Sequence, residues 1–172
     1  LAGRPEDAPG TCVTCVMEGV RPVLAEIQAL VVPSSFGNPR RVSNGVEYNR
    51  AMLLLAVLEK RGGLLLGNCD AYLNVIGGLS LDEPAADLAA MLALASSFRD
   101  KPVPSDLAAI GEVGLTGELR AVSNLGQRLS EVRRLGFSKC LIPKRIQGKL
   151  AAPEGLELIR VANIREALAA LL

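Results

Sequence analysis

Asp82-Glu-Pro-Ala-Ala-Asp-Leu-Ala-Ala-Met-Leu-Ala-Leu-Ala-Ser-Ser97 sets the architecture of this chain. Pro84 falls in the first turn of a helix, where its missing N–H is one that would stay unbonded anyway. The alanine-rich run behind it predicts a helix through Ser97 that packs closely against a neighbour. Upstream, Thr11–Glu18 and residues 23–32 read as two strands of a hairpin about Gly19-Val-Arg-Pro22, and residues 40–43 as a third strand. Asn44-x-x-Glu47 has the form of a capping box, with Asn44 as N-cap of a helix over 46–61 that Gly62-Gly63 ends. The interior of that helix is apolar on nearly every side, which predicts burial. Residues 71–76 alternate as a strand. Downstream, 108–113 and 118–122 read as strands joined through Gly114-Leu-Thr-Gly117. A helix over 124–135 follows, with Leu125, Leu129 and Val132 on one face and most of its arginines elsewhere. Residues 139–142 and 156–161 are two further strands, and 164–172 a closing helix. The pattern is α+β (mixed α/β), with mixed sheets, packed helices and strands too irregularly spaced for a simple doubly wound sheet. Residues 11–172 are expected to form a single domain, with 1–10 a flexible remnant or linker.

The chain has 172 residues, 49% hydrophobic and 22% charged, a globular composition with enough length for one core. Its longest aliphatic run, residues 51–58, is far short of the ~20 needed to cross a bilayer. Leu1-Ala-Gly-Arg-Pro-Glu-Asp7 is polar with no apolar h-region, so no signal peptide is expected, and the chain reads as a piece of something longer. It holds no histidine, which removes Ser-His-Asp and Cys-His nucleophile systems and most catalytic zinc sites. No GxxxxGK[ST] is present to cradle a nucleotide. Cys12-Val-Thr-Cys15 lacks the second pair that a four-thiolate site needs, and Cys69 and Cys140 stand alone, so no metal site is expected. Cysteines three apart on a strand point to opposite faces, so at most one of Cys12 and Cys15 is expected to be buried. Free thiols suit a reducing compartment, and a cytoplasmic location is expected.

Charge is unevenly spread. Residues 62–119 carry a net −6, while 120–149 carry eight basic residues against Glu131 alone. Such a segment can bind polyanions by releasing counterions, or it can pair with the acidic stretch inside the fold. The DNA-binding candidates are Arg40, Arg41, Arg50, Arg120, Arg128, Arg133, Arg134, Lys144 and Arg145. Fourteen of the 19 basic residues are arginine, whose planar fork suits phosphate.

Asp82-Glu-Pro-Ala-Ala-Asp-Leu-Ala89 resembles the serine-bearing helix start of Lon-type proteases, which reads D-G-P-S-A-G. Gly111-Glu-Val-Gly-Leu-Thr-Gly117, Ser123-Asn-Leu-Gly-Gln-Arg-Leu129 and Leu141-Ile-Pro-Lys144 follow the order of that family's later motifs. The likeness is stronger to the C-terminal Lon-like domain of the RadA/Sms family of bacterial DNA-repair proteins. It rests on Arg21-Pro-Val-Leu-Ala-Glu-Ile-Gln-Ala-Leu30, Asn38-Pro-Arg-Arg41, Asn49-Arg50, Leu54-Leu-Ala-Val-Leu58 and Gly111-Glu-Val-Gly-Leu115, and runs from about Gly10 to the end.

The resemblance implies a Lon proteolytic-domain-like fold, with two departures that bear on activity. Ala85 stands where the protease has its nucleophilic serine, and Gly126 where it has its general-base lysine. Neither a methyl group nor a hydrogen can do that chemistry, so no peptidase activity is expected. The enzymatic alternative is a Ser–Lys hydrolase using another pair, Ser123 with Lys144. The resemblance further implies a DNA-repair ATPase of which this domain is a part. Such proteins form a homo-hexamer, bind DNA, drive branch migration of recombination intermediates and work with the recombinase RecA. They carry ATP, magnesium and zinc in portions outside these residues, and no cofactor or membrane partner is expected here.

Overall fold

A computed structural model describes residues 8–35 and 37–172. Residues 1–7, most of the expected remnant, lie outside the described residues, as does Phe36. The elements are β1 (Thr11–Glu18), β2 (Arg21–Pro33), β3 (Arg41–Asn44), α1 (Tyr48–Lys60), β4 (Cys69–Val75), α2 (Asp87–Arg99), β5 (Leu107–Ala109), β6 (Glu112–Val113), β7 (Leu119–Arg120), α3 (Leu125–Arg134), β8 (Lys139–Pro143), β9 (Glu157–Val161) and α4 (Ile164–Leu171). Seven strands form one mixed sheet in the order β3-β4-β2-β1-β5-β8-β9, and β6 and β7 make a separate hairpin. The hairpin β1–β2 and the β2–β4 pair are antiparallel, while β3–β4 and the run β1-β5-β8-β9 are parallel.

Parallel strands need cover on both faces, and the sequence supplies it. Every residue of α2 from Asp87 to Ser97 is buried. Its Leu88, Leu92 and Leu94 join Ile27, Leu73, Leu54, Leu58 and Leu168 in one apolar cluster. On the opposite face, Leu125, Leu129 and Val132 of α3 join Val13, Cys15, Ala108, Ile110, Cys140 and Ile142 in a second. The last turn of α2 also holds the hairpin: Gly10 N–H donates to Ser96 Oγ and Val31 N–H to Ser97 Oγ, each at 2.9 Å.

Four expectations are corrected. Cys12 and Cys15 do point to opposite faces, but both faces are covered, so both thiols are buried at 1% and 0% exposure. Asn44 does not cap α1. It is the last residue of β3, in register with Asn74, and Glu47 is the N-cap, its carboxylate accepting from Arg50 N–H at 2.9 Å. The helix 46–61 therefore shortens to Tyr48–Lys60, and Leu53 remains 40% exposed. The strand expected over 108–113 breaks in two. Gly111 N–H leaves the sheet for Ala85 O at 2.9 Å, which turns the chain from β5 into the β6–β7 hairpin.

Candidate functional site

The turn that opens α2 is a single 3-10 turn, Pro84–Ala86, with Pro84 at its start. It is fixed from below by reciprocal main-chain bonds, Gly111 N–H to Ala85 O and Leu88 N–H to Gly111 O (3.1 Å). Ala85 is 5% exposed and belongs to the cluster under α3. Gly126 lies in the first turn of α3, exposed, and beyond its own stretch of helix no atom lies within 4 Å of where its Cβ would stand. It opens onto a groove of ≈ 460 Å³ shared with Ile146, Lys149 and Leu150.

Two ion pairs flank Ala85. Arg128, on α3, is 1% exposed and spends its guanidinium inside the molecule. Nε donates to Ser123 O (2.9 Å), Nη1 to Cys15 O (3.0 Å) and to Glu83 Oε1, and Nη2 to Glu83 Oε2 (3.2 Å). Glu83 in turn accepts from Met17 N–H at 3.0 Å. Strand β1 is in register with β5 only at Val13↔Ala108. Past that point the Cys15 carbonyl and the Met17 N–H are met by side chains, a guanidinium and a carboxylate, in place of a neighbouring strand. On the other side of the turn, Asp87, 3% exposed, pairs with Arg50 of α1 and accepts from Val113 N–H at 3.0 Å. Burial pushes the Asp87 carboxyl up from its usual range, opposed by the Arg50 guanidinium. This pair lines a cleft of ≈ 330 Å³ whose wall includes Leu54, Leu81 and Ala90.

The nine basic candidates separate by their partners. Arg128 is a correction, since a guanidinium sealed under α3 presents no charge to a polyanion. Arg50 is committed to Asp87, and Arg41 donates to Leu66 O at 2.8 Å. Arg120 lies between Glu112 (3.5 Å) and Glu118 (3.0 Å). Arg134 pairs with Glu131 (2.7 Å), and Arg133 holds the carbonyls of Glu154 and Phe137. Arg40, Lys144 and Arg145 are exposed, with no carboxylate partner for their side chains among the described residues. Ser123 and Lys144 are both exposed, so the alternative pair stands in open solvent and lacks the sheltered pocket that a Ser–Lys nucleophile needs. Burial pushes the Cys15 thiol up to about 12 and the Cys140 thiol well up, so neither is a nucleophile at neutral pH.

The resemblance to the protease motif points to Ala85 but not to Glu83 and Asp87. Their signal was present: D-E-P-A-A-D departs from D-G-P-S-A-G at both glycines as well as at the serine, and the two glycine positions hold the two carboxylates.

The fold around this turn is that of the Lon protease (S16) C-terminal proteolytic domain, whose family model matches residues 70–172, and the chain belongs to that family. It is 54% identical over 168 residues to the DNA repair protein RadA of Bacillus subtilis (strain 168), an alignment covering 98% of this chain and 37% of that protein. It is 51% identical to the DNA repair protein RadA of Listeria monocytogenes (98% of this chain, 37% of that protein). With the DNA repair protein RadA of Streptococcus pneumoniae it shares 49% identity (98% and 40%). The chain thus spans well under half the length of the curated relatives it matches. No helix among the described residues is long and apolar enough to cross a membrane.

Proposed function

We propose that this chain is a non-proteolytic Lon-like domain of a RadA-type DNA repair and recombination protein. It serves there as a platform for a homo-hexamer and as a surface contacting duplex DNA during branch migration, alongside the recombinase RecA. The observation that carries the non-proteolytic reading is the filling of the turn at Ala85. A methyl group takes the nucleophile's place, Gly126 offers no amine, and the Glu83–Arg128 pair occupies the β1 main-chain groups beside them.

Support for a DNA surface comes from Arg40, Lys144 and Arg145, which keep their charges for an external anion. Support for self-association comes from Leu30 and Val42, both exposed and both in register with Tyr72, which form an apolar row across β2, β4 and β3. ATP, magnesium and zinc belong to other portions of such proteins. Here the sequence lacks GxxxxGK[ST], and no three His, Cys, Asp or Glu side chains converge among the described residues.

Two assays test the reading. Fluorescent casein incubated with the chain at high concentration should stay intact; cleavage abolished by Ser123→Ala would overturn the non-proteolytic reading. Labelled duplex DNA should bind with little sequence preference and weaken with salt by about 0.9 log units per log unit for each phosphate contacted. No DNA binding at low salt would remove the DNA half.

A further inference from the structure

The C-terminal end of α1 and the first turn of α4 meet over the turn between β6 and β7. Ile164 N–H donates to Gly117 O (2.8 Å) and Leu119 N–H to Ala162 O (2.9 Å). Gly117 has φ +83°, and a Cβ there would stand 2.9 Å from Arg61 Cβ and 3.2 Å from Ile164. Only glycine lets the two helix ends close on the turn. The junction forms an open cavity of ≈ 270 Å³ lined by Lys60, Arg61 and Arg165, with Thr116, Asn163 and Ile164 also in its wall.

Among the described residues no carboxylate lines this cavity. The acids nearest in sequence already have donors of their own: Glu59 accepts from Leu66 N–H (2.8 Å), Glu118 from Thr116 of the cavity wall and from Arg120, and Glu166 from Ala162 N–H (3.1 Å). None of the three cations has a carboxylate partner among the described residues. Lys60 and Arg61 suit the negative end of α1, but a helix end carries only about half a charge, which balances a fraction of three. Arg165 sits in the first turn of α4, the end of a helix that disfavours cations. Packing and dipoles therefore leave the gathering of these three cationic residues around one cavity unexplained.

We propose that this cavity is a phosphate-binding site, with Arg61 and Arg165 gripping phosphate oxygens through their guanidinium forks and Lys60 supplying a third charge. The phosphate comes either from a nucleic-acid backbone or from a free oligophosphate. The first source rests on the DNA-contacting reading above, and the second does not.

The test uses the whole chain with two probes, labelled duplex DNA followed by anisotropy across a salt series and tripolyphosphate followed by calorimetry. In Arg61→Gln/Arg165→Gln, loss of two contacts should flatten the slope of log affinity against log salt by about 2. Arg99→Gln/Arg160→Gln removes the same charge from exposed positions outside the cavity and should keep the wild-type slope. A flattened slope with DNA assigns the site to the backbone. Tripolyphosphate binding that the Arg61/Arg165 variant loses, with DNA binding unchanged, assigns it to a free oligophosphate. If the variant binds both probes like wild type, or if the control flattens the slope equally, the site is overturned while the DNA reading stands. If wild type binds neither probe, the site and the DNA reading both fall. Matching thermal melts confirm that each variant is folded.

Discussion

Breaking the Glu83–Arg128 pair from its two ends should have unequal cost. Arg128 is 1% exposed and Glu83 27% exposed, so only the carboxylate can turn to water when its partner is lost. Glu83→Ala leaves a guanidinium sealed under α3 with two carbonyls and no counter-charge, and strips Met17 N–H of its acceptor. Removing one partner of a buried pair costs about 3–5 kcal/mol. Arg128→Met releases Glu83 to solvent and leaves the buried Cys15 carbonyl without a donor, about 1–3 kcal/mol. The double variant holds no stranded charge and should cost less than the two single changes added together, with a coupling of about 2 kcal/mol. Guanidinium chloride unfolding of the four proteins reads these differences directly, since they are large against a total stability of about 5–15 kcal/mol. An Arg128→Met variant less stable than Glu83→Ala, or costs that add within about 0.5 kcal/mol, would refute the account of an unevenly exposed pair.

Two further outcomes follow from the protonation chemistry. The Thr116 hydroxyl, and then Arg120, hold the Glu118 carboxyl down at about 2. Its folded value lies below its unfolded one, so its contribution is present above about pH 4.5 and is lost as pH falls towards 2. Glu118→Gln should therefore flatten the acid limb of a stability–pH curve, and an unchanged limb would contradict this. Cys12, Cys15 and Cys140 are buried and Cys69 is half-buried. A thiol reagent on the native chain should thus label one cysteine quickly and three only on unfolding, and a second fast thiol would contradict the covered-sheet account.

Where the sequence punctuates itself, its elements are legible. Pro84 marks the start of α2, Gly19 and Val20 turn β1 into β2, and the spacing of Leu125, Leu129 and Val132 places α3 with its buried face correct. Asn44 misled because its capping pattern is local while its pairing with Asn74 across β3 and β4 is not. Burial of both Cys12 and Cys15 required knowing that α2 and α3 cover opposite faces of one sheet. At the site, the resemblance alone marks Ala85 and Gly126 as departures from a motif. In the sequence Arg128 and Arg50 read as surface charge, because their partners Glu83 and Asp87 lie 45 and 37 positions away, separations that no local periodicity carries. Arg165 is likewise brought to the adjacent Lys60 and Arg61 only by folding.

The grip of Glu83 and Arg128 on β1 is on peptide atoms only, the Met17 amide and the Cys15 carbonyl. Inheritance at these places is therefore asymmetric. Position 17, half-buried and touched through its amide, tolerates single exchanges of side chain, whereas 83 cannot change ahead of 128, because its loss strands the sealed guanidinium, while a change at 128 first leaves the carboxylate free to turn to water.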